Sequence, residues 1–172
     1  MIRKIIKMPI CGLLGFVICQ GLVAEAIAED DTLKLALRPT LTFDIAHKIA
    51  MTCIERQRKN NGSPIYIAIY DDAANLILFH KMDGATVGSD NTAMRKAESA
   101  ARFRVPTREI ASWVKGSPGV GHIPGLLGVT GGLPIFSNKG AHLGGVGVSG
   151  APSDEDESCA QAGIDAVQPY LD

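Results

Sequence analysis

The sequence has no excess of charge of either sign: 17 Lys and Arg stand against 18 Asp and Glu, for a net charge of −1. Without a basic field there is nothing to hold a phosphate backbone, which excludes nucleic acid as a partner. Neither Cys-x-x-Cys nor His-x-x-x-His spacing occurs, so no preformed zinc site is encoded, and the lack of Cys-x-x-Cys-His excludes covalent haem attachment. No Gly-Lys-Ser/Thr follows any glycine run, which removes a phosphate-binding loop. Gly147-Val148-Ser149-Gly150-Ala151 lacks the second glycine that a G-x-S-x-G nucleophile elbow requires, and no hydrolase triad is visible. There is no internal repeat and no low-complexity tract. Beyond the N-terminus, no stretch is apolar enough to cross a membrane.

What is there begins with a basic start (Arg3, Lys4, Lys7), an apolar run from Ile10 to Val23, and small residues in A-x-A spacing at Ala24-Glu25-Ala26 and Ala26-Ile27-Ala28. This is the pattern of a cleaved secretory signal over residues 1–26. The run is broken by Gly12, Gly15, Gln20 and Gly21, and it is shorter than the roughly 20 apolar residues of a spanning helix. Bulky Ile18 before Cys19 argues against lipidation. The reading is a periplasmic or secreted protein with no stable membrane span after cleavage. The mature chain keeps 14 basic and 17 acidic residues, a net charge of −3. Residues 27–39 read as an exposed N-terminal arm and residues 40–172 as a single domain, a length that can bury one core. Cys53 and Cys159 then remain in a compartment that permits disulfides, either as two buried thiols or as a bridge between the first and last helices.

Apolar residues Ile45, Ala46, Ile49, Ala50, Cys53 and Ile54 recur in helical steps after Thr40 or Thr42, and Asn61-Gly62 ends that helix. Ile65–Tyr70 and Leu76–Met82 flank a turn at residues 71–75 and predict an antiparallel hairpin. Ser89 offers an N-cap for a second helix to about Arg104, whose inner face carries Ala93, Ala97, Ala100 and Ala101. Val105-Pro106 breaks it, and Thr107 reads as the cap of a short third helix. Seven glycines and two prolines between residues 116 and 132 predict a long shaped loop lining a pocket. Leu133–Ser137 and Ala141–Ser149 form a second hairpin with a Gly-rich second strand. Ser153 begins a last helix, with Asp156 as its capping-box partner. The predicted fold is α/β of the α+β kind. Four to five antiparallel strands are covered by helices in the order α-β-β-α-α-β-β-α, a profilin-like layout.

Five segments in this order carry a resemblance. They are Ala68-Ile69-Tyr70-Asp71, Lys81-Met82-Asp83-Gly84-Ala85, Ala93-x-x-Lys96-Ala97-x-x-Ala100-x-x-Phe103-x-x-Pro106-Thr107, Gly131-Gly132-Leu133-Pro134-Ile135 and Gly145-Val146-Gly147-Val148-Ser149-Gly150. From about Thr40 to Tyr170 the chain resembles the HbpS/GlcG-like family of small haem-binding proteins. The resemblance implies an antiparallel α/β domain, symmetric homo-oligomers, non-covalent haem as cofactor, and a binding protein that stores, delivers or slowly degrades haem. The family is mixed in function. It also allows an accessory protein or enzyme acting on a small organic acid in a periplasmic oxidation pathway.

The candidate residues follow. His122, on the glycine loop among apolar neighbours, is the first candidate for an axial nitrogen on haem iron, and His142, near the Gly-rich strand, is the second. His47 and His80 read as solvated. Thr107 matches the family position whose hydroxyl is associated with the iron, beside its alternative as a helix cap. Lys96 and Arg95 are candidates for a haem propionate or a small carboxylate, beside an ordinary solvated helix face. Asp154 and Glu157 have the acidic spacing that some relatives use for iron, and would otherwise favour the start of the last helix.

Overall fold

The computed structural model describes residues 38–172, so the predicted signal and most of the predicted arm lie outside the described residues. Helix α1 spans Phe43–Lys59; the Thr42 hydroxyl accepts from the Ile45 amide at 3.4 Å, and the stripe from Ala46 to Ile54 is buried. Strands β1 (Tyr66–Asp71) and β2 (Leu76–Lys81) follow. The Asp71 carboxylate shapes their turn by accepting from the amides of Ala73 and Asn75. Helix α2 (Ser89–Phe103), helix α3 (Thr107–Gly116), a 3-10 helix over Pro118–His122, strands β3 (Gly132–Phe136) and β4 (His142–Ser149), and helix α4 (Ser153–Val167) complete the domain.

All pairings are antiparallel, in the order β2-β1-β4-β3, so the inner strands of the two hairpins meet. The pleat sorts side chains by face. Ile67, Ile69, Val146 and Val148 join α1 and α4 in the main core. Gly145 and Gly147 turn the other way, onto α2. A Cβ at Gly145 would lie 2.6 Å from the Ala97 carbonyl oxygen and the Ala101 amide nitrogen, so small residues on both sides let helix and strand backbones touch. Cys53 and Cys159 are joined in a disulfide that ties α1 to α4, with Cα atoms 5.0 Å apart. Among the described residues, no helix is long and apolar enough to cross a membrane.

Three caps differ from expectation. Ser89 is the first residue of α2, and Gly88, at φ 93°, takes the cap position with no side-chain bond. Thr107 and Ser153 likewise lie inside their helices, behind Pro106 and Pro152. Proline's fixed φ supplies the extended cap backbone, and the carbonyls of Pro106 and Pro152 accept the first helical bonds, so neither hydroxyl is needed. The glycine segment is also more regular than a loop, since it contains the 3-10 turn.

Candidate functional site

Helix α2 carries Lys96 inward. Its neighbours Ala93, Ala97 and Ala100 are small enough to bring the helix onto the sheet, and the lysine is 1% exposed. The solvated face expected of it is therefore corrected. Its ammonium donates to the Val148 carbonyl at 2.8 Å and to Asp156 at 2.9 Å, while the other Asp156 oxygen accepts from the Ala151 amide. The carboxylate thus caps the entry to α4 from the residue before Pro152, rather than pairing with Ser153. Burial pushes the Asp156 carboxyl above its ordinary value, against the lowering effect of the Lys96 ammonium.

Thr107 stands beside this pair, fully buried. Its hydroxyl donates to the Val129 carbonyl at 2.6 Å and accepts from the Gly132 amide at 2.9 Å, so it fastens the returning loop to the start of β3. Gly131, at φ 121°, lets the backbone pass over Lys96; a Cβ there would come within 2.7 Å of the ammonium nitrogen. Lys96 and Asp156 thus form one buried pair, and next to it Thr107 holds the returning loop at residues 129 and 132.

The other predicted residues are not gathered around this pair. His122 is exposed at the end of the 3-10 helix, which packs against α3. The exposed large apolar residues of α3 and of the segment that follows it are Trp113 at 42%, Ile123 at 44% and Val129 at 38%. Arg95 is exposed on α2. Asp154 and Glu157 both face Arg108, which reaches them at 2.6 Å and 2.9 Å, so their charge is already answered by one guanidinium. Among the described residues, no three His, Cys, Asp or Glu side chains converge on a metal position.

His142, at the start of β4, meets the Phe136 ring edge-on and lines a pocket of about 160 Å³ with Arg38, Asp72 and Arg104. Burial and then the nearby Arg104 charge hold its imidazole below the ordinary histidine value. An open groove of about 470 Å³ lies between the start of α3, β3 and α4, with Pro106, Leu133, Phe136 and Ile164 on its walls and Arg104 at its edge.

Sequence reasoning read Asp156 only as a helix-cap partner and gave no role to Arg104 or Arg108. Asp156 stands three residues before Cys159 on the stripe that continues through Ala160 and Gly163, and that spacing places it inside. Arg108 meets Asp154 and Glu157, and Arg104 lines a pocket with His142, all distant in sequence, so nothing local marks either arginine.

The model of a family described as HbpS-like haem-degrading proteins matches residues 41–165. HbpS of Streptomyces reticuli, solved as a double mutant, superposes with a TM-score of 0.72 at 33% identity, covering 86% of this chain and 99% of that one. The crystal structure of a PduOC–haem complex aligns at a TM-score of 0.67 and 26% identity, covering 74% and 95%. An uncharacterized 15.0 kDa protein from the dhaT-dhaS intergenic region of Citrobacter freundii is 31% identical over 137 residues, covering 73% of this chain and 91% of its own length.

Proposed function

Because the chain belongs to the HbpS-like family, we propose that it is an exported haem-binding protein, which holds haem non-covalently and stores, delivers or slowly degrades it. The observation that carries the reading is the family match over most of the described domain, together with a relative solved in complex with haem. Export is supported by the signal pattern of residues 1–26 and by the Cys53–Cys159 disulfide, which suits an oxidising compartment.

We place the porphyrin on the face of α3 and the 3-10 helix. Trp113, Ile123 and Val129 supply apolar contact there, and the exposed His122 imidazole supplies an axial nitrogen. The Thr107 hydroxyl and the Lys96 ammonium are engaged in interior hydrogen bonds, so in this reading they support the loop and do not touch the ligand. Arg95 is exposed and is a propionate partner within reach of solvent. An open face of this kind buries only one side of a flat ligand, which favours a homo-oligomer whose second copy covers the other. Light scattering that returned a monomeric mass with haem bound would contradict that assembly.

The test is the visible spectrum of the reconstituted protein and of His122→Ala. The variant is expected to lose the histidine-ligated spectrum and to regain it on addition of imidazole. An unchanged spectrum would remove His122 from the iron and contradict this placement of the porphyrin.

A further inference from the structure

A second site lies away from that face. We infer that the pocket between Arg38, Arg104 and His142 binds a small oxyanion, a short carboxylate or a phosphate. The pocket measures about 160 Å³, well below the roughly 300 Å³ at which sites for drug-sized ligands begin, so it suits an anion of a few atoms and is too small for a porphyrin.

Three observations meet there. First, two guanidinium groups far apart in sequence line one small cavity. Among the described residues, neither has a carboxylate oxygen within 4.0 Å, in contrast to Arg102 and Arg108, which both do. Among the described residues, Asp72, on the turn between β1 and β2, is the only carboxylate lining the pocket, and it leaves the two arginines in excess. Planar guanidinium donors match carboxylate and phosphate oxygens in geometry as well as charge. Second, Arg104 ends α2 in the left-handed region at φ 60°, where glycine is the unstrained choice. A long cationic side chain in that position is held there against its backbone preference. Third, both ring nitrogens of His142 are shielded from solvent and make no hydrogen bond of full geometry among the described residues, the Gly144 backbone being near enough to favour the imidazolium without completing one. Buried polar groups in folded proteins are nearly always answered, and an oxyanion would answer these.

The charges facing the ring are Arg38, Arg104 and Asp72, with the Phe136 ring against its edge. An anion among them offsets the arginines and favours the imidazolium, so binding and protonation reinforce each other. Affinity therefore rises as pH falls through the His142 titration.

Acetate, pyruvate and inorganic phosphate, each titrated into the purified haem-free protein by calorimetry, test the site, with His142 ring protons followed by NMR. The expected result is saturable binding of at least one anion, with the His142 titration moving up in its presence. Binding by Arg104→Gly should be weaker by about tenfold or more. Its Tm should be equal or higher, because glycine relieves the positive φ. Selective binding of phosphate or of the carboxylates identifies which oxyanion the site takes. No saturable binding of any of the three, or equal affinity in Arg104→Gly, overturns the inference; if that variant fails to fold, Arg38→Gln carries the same comparison.

Discussion

Lys96 is the residue on which the interior turns. Its ammonium and the Asp156 carboxylate are each about 2% exposed, and between them they satisfy the Val148 carbonyl and the Ala151 amide. Removing one partner of such a pair strands a buried charge, so Lys96→Met should cost about 3–5 kcal/mol in urea unfolding. The double variant Lys96→Met, Asp156→Leu should recover much of that loss, because two apolar groups need no answer. A double variant as unstable as the single one would mean that the backbone bonds, and not the charge pairing, set the cost. Its burial was legible in part: Lys96 lies between Ala93 and Ala97 on a face of small residues, but its length and charge argue for solvent until the partner on α4 is known.

His142 gives a pH prediction with a definite sign. Its folded value lies below the ordinary 6.5, first through burial and then through Arg104. The unfolded chain therefore binds a proton that the folded one does not. That contribution to stability is present above 6.5 and is lost as pH falls through 6.5 toward the lower folded value. Wild type should lose unfolding free energy across that window faster than His142→Gln. Identical pH profiles for the two would show that the ring environment does not discriminate between its charge states.

At the scale of elements, the helices and strands were readable from periodicity and β-branched runs, and so were the ends of α1, while the starts of α2, α3 and α4 were not. The three displaced caps share a cause: proline or glycine at the preceding position already supplies the backbone geometry, and Thr107 is then free to bond Val129 and Gly132. The contact between α1 and α4 could not be derived from spacing, because Cys53 and Cys159 are 106 residues apart. That separation also sets the size of the effect. A cross-link closing so long a loop restricts the unfolded chain by about 4–5 kcal/mol in the chain-entropy account. Cys53→Ala, Cys159→Ala should lower the urea midpoint accordingly and become insensitive to reductant. A midpoint equal to that of oxidised wild type would show that helix packing alone holds α1 on α4.

For the whole molecule, each hairpin is local and was visible in the sequence. The pairing of β1 with β4, which makes one sheet of the two, is not local. Gly144 lies against the Tyr70 backbone of β1, whereas Gly145 and Gly147 face α2, so the Gly-rich strand signalled close backbone approach without saying which neighbour is the paired strand. The candidate site was less legible than the fold. A buried ion pair, an open apolar face and a small cationic pocket are three separate places, and residue chemistry alone grouped them as one. Haem binding is the claim on which the functional account rests, and its most direct test is an equilibrium titration of haem into the purified wild-type protein, followed in the Soret band. Saturable binding at one haem per chain is the predicted result. A linear, unsaturable increase indistinguishable from haem added to buffer or to an unrelated protein would contradict it.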